Sequence, residues 1–137
     1  MAYPRTPYDQ EGGLYYFPRM VDKIRLNLNG ELPEDYHRPL GKGFDGTMCE
    51  FLRVNYDDVV QQVKDDKTDA EVLTWCLENG RGLSELDIKM ANAFFSKRGL
   101  KDDIAERLAE RKKENGIADR DDIATMFDFM EYDEDRA

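Results

Sequence analysis

The 137-residue sequence contains few of the residues that build metal sites and disulfides, with one histidine and two cysteines. Cys49 and Cys76 form no CxxC pair and each lies among apolar residues, so we interpret both as buried free thiols. A zinc site would have to draw His37 and both cysteines together from scattered positions. The sequence therefore predicts no metal site, and no motif in it indicates a cofactor.

Long hydrophobic runs are also missing, and so is any excess of positive charge. No apolar stretch approaches the roughly 18 residues of a transmembrane helix, and none follows a basic N-terminal segment as in a signal peptide. This pattern predicts a cytoplasmic location. The net charge is −10, and an acidic surface repels both nucleic-acid phosphates and anionic lipid headgroups. We therefore expect no nucleic-acid partner and no membrane partner.

The sequence does contain helical periodicity and many aromatic residues, seven Phe, seven Tyr and one Trp, which favour a folded core. Apolar residues recur at the helical spacing, and no useful strand-type alternation or internal repeat occurs. The pattern predicts an all-α fold, a compact array of about seven short helices joined by capped turns. We assign residues 1–16 to an N-terminal arm, 17–131 to a single helical domain and 132–137 to an acidic tail.

Capping signals set the predicted boundaries in the second half of the chain. Capping-box spacings predict helices that begin after Thr68 and after Ser84. A highly charged helix is predicted over 102–114. Its acids and bases are interleaved, which indicates a solvent-exposed face that carries many ion pairs. Asp119 and Asp122 predict the start of the last helix, because acids favour a helix N-terminus.

One long irregular Gly/Pro loop, residues 31–46, follows the first helix, which is predicted to run from Pro18 to Gly30. The loop contains Gly41-Lys42-Gly43-Phe44-Asp45-Gly46, which fits GxGxxG. A dinucleotide site needs a buried strand before this motif, and the preceding His37-Arg38-Pro39-Leu40 is not one. Two interpretations stay open: a turn that needs positive φ, or exposed amides at a helix start that hold an anion.

The candidate ligand-binding residues lie in this loop and in the first helix. Arg19 and Lys23 are four residues apart with Asp22 between them, which suits either an ion-pair set or an anion site. Tyr36 and His37 are the other polar aromatic residues of the loop. The full set of candidates is Arg19, Asp22, Lys23, Tyr36, His37, Lys42, Gly43 and Asp45.

Nearly the whole chain resembles a known family. The strings LYYFPRMVDKIRLNLNGELPEDYHRPLGKGFDGTMCEFLRVNYDDV, TDAEVLTWCLENGR, NAFFSKRG and DRDDIATMFDFMEYDEDR carry the likeness, from Gly12 to Arg136. They resemble a bacterial family catalogued as domain of unknown function 5069. The resemblance implies that PRMVDKIR and LGKGFDG are hallmark segments, which strengthens Arg19, Asp22, Lys23, Tyr36, Gly41, Gly43, Asp45 and Gly46 as site candidates. It implies no catalytic residue.

Our leading hypothesis is a small binding or interaction domain, with a homo-oligomer left open. Its site would lie between the 36–46 loop and the first helix, with an anionic small molecule as the ligand. The alternative is a small enzyme in which Asp22 or Asp45 acts as acid or base while Arg19 and Lys23 hold an anionic substrate. A third hypothesis is a regulatory protein that presents its acidic face to a basic partner.

Overall fold

Seven α-helices make up most of the computed structural model, which describes residues 2–136. They are α1 Phe17–Leu28, α2 Gly43–Leu52, α3 Tyr56–Lys64, α4 Asp69–Asn79, α5 Glu85–Lys97, α6 Ala105–Glu114 and α7 Met126–Asp133. A hairpin of two-residue strands, β1 Gln10–Glu11 and β2 Leu14–Tyr15, precedes α1, and a 3-10 turn spans Glu34–Tyr36. The predicted all-α array is confirmed. Met1 and Ala137, the ends of the predicted arm and tail, lie outside the described residues.

Side-chain caps begin four of the helices. Asn55 caps α3, and Thr68, Ser84 and Thr125 form capping boxes at the starts of α4, α5 and α7. Each box satisfies two amides that the first turn of a helix otherwise leaves unpaired. The boxes at Thr68 and Ser84 confirm the predicted starts of α4 and α5.

Two predicted helix starts are wrong. The last helix begins at Met126, not at Asp119 or Asp122, because the Thr125 capping box sets its start and Asp122 pairs with Arg120 instead. The charged helix begins at Ala105 rather than at 102. The Asp102 carboxylate accepts the amides of Gly99 and Ile104, which holds residues 99–104 in a turn.

The irregular segment after α1 is shorter than predicted, because α2 begins at Gly43 and includes the last two glycines of the motif. Gly41 and Gly43 both have positive φ, +75° and +53°. A Cβ at Gly41 would come within 2.8 Å of the Tyr56 ring. The predicted need for glycine in this turn is therefore confirmed at both positions.

Both ends of the described chain pack on the helices. Asn92 of α5 accepts the Tyr15 amide at 2.8 Å and donates to the Gly13 carbonyl at 2.8 Å, which fastens the hairpin. The Tyr8 ring lies edge-on to Phe127 with centroids 5.2 Å apart. At the other end, α7 runs through the predicted boundary between residues 131 and 132, and Glu134 is buried.

Two apolar clusters form the interior. The larger joins α1 to α5 with Phe127 of α7, and it holds both cysteines as free buried thiols. Burial raises the pKa of Cys49 and of Cys76 to about 12, which keeps both thiols unreactive. The smaller cluster lies between α6 and α7, and Phe44 packs against both. In the described part of the chain, no helix is long and apolar enough to cross a bilayer.

The ends of α2 and α4 meet at Gly80, and this contact generates a stability prediction. A Cβ there would collide with the Leu52 carbonyl oxygen and come within 2.8 Å of the Cys76 carbonyl oxygen. Since backbone atoms cannot move aside as a flexible side chain can, we expect Gly80→Ala to lower the free energy of unfolding by about 3 kcal/mol. Urea unfolding followed by circular dichroism measures this loss.

The matched control is Gly82→Ala, two residues further along the chain. Nothing lies within 4 Å of a Cβ placed at Gly82, so its unfolding free energy should stay within about 0.5 kcal/mol of the wild-type value. Equal effects of the two substitutions would contradict the close approach at Gly80.

Candidate functional site

Two ion pairs on α1 lie buried beneath the glycine loop. Arg19 is 3% exposed and binds Glu134 through two parallel hydrogen bonds, Nη1–Oε1 and Nη2–Oε2, each 2.7 Å long. One turn further along α1, Lys23 Nζ lies 2.8 Å from Asp45 Oδ1, with Lys23 6% exposed and Asp45 fully buried. Both cations are buried because carboxylates from α2 and from the residue after α7 cover them.

Tyr16 joins the Lys23–Asp45 pair and completes a closed polar cluster. Its hydroxyl donates to Asp45 Oδ1 at 2.7 Å and accepts from Lys23 Nζ at 3.0 Å. The second Asp45 oxygen accepts the Gly41 amide at 3.2 Å, so the loop is tied to the same carboxylate. Burial, with the Asp45 charge beside it, raises the pKa of Tyr16 well above its usual value. Tyr16 also has a left-handed backbone, φ +71°, a strained conformation for a bulky residue.

Glu134 links α1, the loop and the chain terminus. Besides Arg19, it accepts a hydrogen bond from the Tyr36 hydroxyl at 2.6 Å and one from the Arg136 guanidinium. Burial by itself would raise the pKa of Glu134, but the hydrogen bonds from Arg19 outweigh that effect and the pKa is lowered. Burial and the bond to Glu134 raise the pKa of Tyr36. Glu134 is not among the candidates predicted from the sequence, because it lies in an acidic run assigned to the tail.

The structure thus brings four of the predicted candidates together, Arg19, Lys23, Tyr36 and Asp45, and leaves two apart. Asp22 accepts the Arg5 amide at 3.0 Å on the side of the N-terminal arm. The exposed His37 ring lies 2.8 Å from the Leu32 carbonyl oxygen through Nε2. Neither Asp22 nor His37 lines the groove described next.

A groove of about 1040 Å³ opens above the buried cluster. Its walls are the loop from Asp35 to Thr47, the end of α5, α6 and the inner face of α7. Seven basic and five acidic residues line it, so the groove carries no excess of negative charge in a chain whose net charge is −10. Its floor includes Tyr16, Arg19 and Lys23.

Four of the basic residues at the groove have no ion pair with any residue between 2 and 136: Arg38, Lys42, Arg107 and Arg111. Arg107 and Arg111 belong to α6, and none of the ion pairs among residues 2–136 includes a residue of this helix, so the ion pairs predicted for it are wrong. The charge repeat of α6 could not reveal this, because it does not show which residues face another element.

Donors without acceptors also face this groove. The α2 N-cap, Lys42, supplies no side-chain cap, and within the described residues the amides of Gly43 and Phe44 have no acceptor. A Cβ at Gly43 would meet nothing within 4 Å, so the space over the helix start is open. On the floor, Arg19 Nε is buried without a hydrogen-bond partner. Unpaired donors and cations are suited to hold an anion.

The acidic residues of the groove do not create a metal centre. Across residues 2–136, no three His, Cys, Asp or Glu side chains are grouped so that they could hold a metal ion.

Comparison with known proteins places the chain in one sequence family. The profile of the family described as Domain of unknown function (DUF5069) matches residues 1–136. No protein of curated function matches the chain.

The Arg19–Glu134 pair generates a second stability prediction. Replacing Glu134 by the isosteric Gln leaves the Arg19 charge buried without a counter-ion, so we expect Glu134→Gln to lower the free energy of unfolding by about 3 kcal/mol. Urea unfolding at pH 7 tests this. The exposed Glu110 supplies the control, since Glu110→Gln removes a charge without breaking any ion pair among the described residues. A loss below about 1 kcal/mol for Glu134→Gln would contradict the role of the pair.

The ionisation of Glu134 also predicts how the free energy of unfolding changes at acid pH. Because its folded pKa lies below the ordinary Glu value of 4.5, ionised Glu134 contributes stability above that pH, and the contribution is lost as the pH falls through the folded pKa. The unfolding free energy of the wild type should therefore fall from pH 4.5 downward, and more steeply than that of Glu134→Gln. Parallel curves for the two proteins would refute this assignment.

Proposed function

This chain belongs to the DUF5069 family, whose description assigns no activity, and we propose that it is a binding domain for an anionic small molecule. The observation that carries the proposal is the set of four basic residues at the groove that have no ion pair among residues 2–136: Arg38, Lys42, Arg107 and Arg111. They surround a groove whose floor already holds two satisfied ion pairs, so their charges are available to a ligand.

The charge distribution supports an anion as the ligand. Like charges gathered around a cleft focus the electric field there and raise the local concentration of oppositely charged ligands. The unpaired cations of this groove therefore favour an anion there, in a chain that is acidic as a whole. The open start of α2 adds the amide donors of Gly43 and Phe44 to the same wall.

The groove's size supports a small molecule rather than a macromolecule. Its volume of about 1040 Å³ is close to the upper limit of the roughly 300–1,000 Å³ typical of small-ligand sites. The acidic remainder of the surface disfavours nucleic acid and membrane, and those exclusions stay predictions, as do a homo-oligomer and a cytoplasmic location.

The contacts weaken the alternative of a small enzyme that uses Asp22 or Asp45. Asp22 does not line the groove. Asp45 accepts from Tyr16 and from the Gly41 amide and pairs with Lys23, and these three contacts hold its carboxylate in place. Arg19 and Lys23, the cations assigned to a substrate in that hypothesis, are held by Glu134 and Asp45. We therefore infer that the ligand contacts the unpaired cations at the edge of the groove, Arg38, Lys42, Arg107 and Arg111.

A thermal-shift experiment tests the proposal. Inorganic phosphate, pyrophosphate and citrate at low millimolar concentration should raise the Tm of the wild type, because a ligand that binds only the folded state stabilises it. The double variant Arg107→Gln/Arg111→Gln should lose most of the shift. Arg19→Ala would be a poor test, since it breaks the buried pair with Glu134.

Lys113→Gln is the matched control, because Lys113 lies on the same helix and does not line the groove. It separates binding in the groove from the general stabilisation that phosphate-type salts give any protein. Equal anion-dependent shifts in the wild type, the control and the double variant would overturn the proposal.

Removing the charge of Asp133 should strengthen anion binding, whereas removing the charges of Arg107 and Arg111 should weaken it. Burial, together with the charges of Glu134 and Asp35, raises the pKa of this groove carboxylate. Its ionised form therefore costs free energy at pH 7, and it repels anions. Asp133→Asn should raise the Tm and tighten anion binding by roughly threefold to tenfold, as expected from removing one nearby like charge.

Isothermal titration calorimetry with pyrophosphate measures the affinity of this variant. The control is Asp121→Asn, which removes the same charge at an exposed residue outside the groove. Weaker binding by Asp133→Asn, or equal gains in both variants, would contradict an anion site beside Asp133.

A further inference from the structure

We propose that the ligand of this groove is an amphipathic anion, a phosphate or carboxylate joined to an apolar body about 10 Å long. The inference rests on the proposed function and adds the class of molecule that the groove takes. It follows from how apolar and charged residues are distributed along the groove.

One end of the groove is apolar. Ile104 just before α6 and Met126 at the start of α7 line it there, and Ile104 and Phe44 pack against the small cluster that contains Met126. The Met126 amide donates to the Arg98 carbonyl at 2.8 Å, which brings the end of α5 to this point. Phe94 of α5 lines the same end and is 49% exposed.

The other end is charged. Lys112 of α6 donates to the Arg120 carbonyl at 2.6 Å, and the Arg120 guanidinium lies 5.9 Å from the Tyr132 ring centroid, so the ends of α6 and α7 lie together. Arg111 of α6 and Asp133 of α7 line the groove at this end, and Tyr36 donates to the adjacent Glu134 at 2.6 Å. Helices α6 and α7 therefore run along the groove in the same sense, from its apolar end to its charged end.

The spacing of these residues sets the length of the ligand. Ile104 and Arg111 are seven residues apart along α6, as Met126 and Asp133 are along α7. Seven residues of α-helix rise about 10 Å. A ligand that reaches from Ile104 and Met126 to Arg111 therefore carries its charge about 10 Å from its apolar end.

Each half of such a ligand matches one end. A bare inorganic anion would leave the exposed Phe94 ring and its apolar neighbours in water, and an uncharged apolar molecule would leave the cations unmatched. The half-exposed Phe94 ring offers an aromatic surface against which an aromatic body can pack.

Isothermal titration calorimetry with four probes tests the inference: 2-naphthyl phosphate, 2-naphthoate, inorganic phosphate and 2-naphthol. Comparing 2-naphthyl phosphate with 2-naphthoate shows which of the two anionic groups the groove prefers. We expect at least one of the naphthyl anions to bind the wild type at least tenfold more tightly than inorganic phosphate, and 2-naphthol to bind more weakly than that anion.

Two variants test which end of the groove binds the apolar part of the ligand and which binds its charge. Phe94→Ala should reduce the advantage of the naphthyl anion about fivefold while leaving phosphate binding unchanged, and Arg111→Gln should weaken both anions. The controls are Met90→Ala, an exposed residue one turn earlier on α5, and Lys113→Gln on α6, and neither residue lines the groove. Thermal unfolding of each variant confirms that it is folded, which is expected because all four side chains are at least partly exposed.

The outcomes separate the two proposals. If inorganic phosphate binds as tightly as both naphthyl anions, the anion site stands and the amphipathic ligand is refuted. If 2-naphthol binds as tightly as the naphthyl anions, the charged end plays no part and the inference is also refuted. If neither phosphate nor either naphthyl anion binds, the proposed function fails as well. If Phe94→Ala weakens inorganic phosphate as much as the naphthyl anion, the apolar end has no separate role, which overturns the inference.

Discussion

The buried pairing of Arg19 with Glu134 and of Lys23 with Asp45 is the constraint on which the groove depends. A charge withdrawn from water costs several kcal/mol unless a counter-ion and further hydrogen bonds replace its hydration. Helix α1 carries both cations one turn apart, and their carboxylates come from α2 and from the residue that follows α7. These three parts of the chain must therefore meet together, and the glycine loop is held against α1 because Asp45 and Tyr36 belong to the same network.

This network also explains why ligand recognition is assigned to the edge of the groove. The four charged groups of the floor neutralise one another in pairs, so the floor adds little net charge to the cavity above. Arg107 and Arg111 have no such partners within residues 2–136, and the same holds for Lys42 beside the open start of α2. Arg19 and Lys23 accordingly act as positioning residues, and the contacts with a ligand fall to the cations around them.

The fold produces the unequal ends of the groove through its smaller apolar cluster. Helices α6 and α7 bury this cluster between them, and residues at their starts extend it to the groove wall. Phe44 packs against both clusters and lies in the first turn of α2, two residues after Lys42. One short segment therefore gives the groove part of its apolar surface and part of its charge.

The sequence by itself determined the helical class, the capped starts of α4 and α5 and the glycine turn before α2, because periodicity, capping boxes and positive φ are local properties. Only the tertiary structure decided the site. Arg19 and Glu134 are 115 residues apart, and a helical charge pattern cannot distinguish a cation that meets a buried carboxylate from one that faces water. For the same reason Arg107 and Arg111 matched a solvated helix face in the sequence, whereas the packing of α6 beside α7 turns them toward the groove. The start of α7 escaped prediction because three acids precede Thr125, and only the formed capping box shows which residue begins the helix.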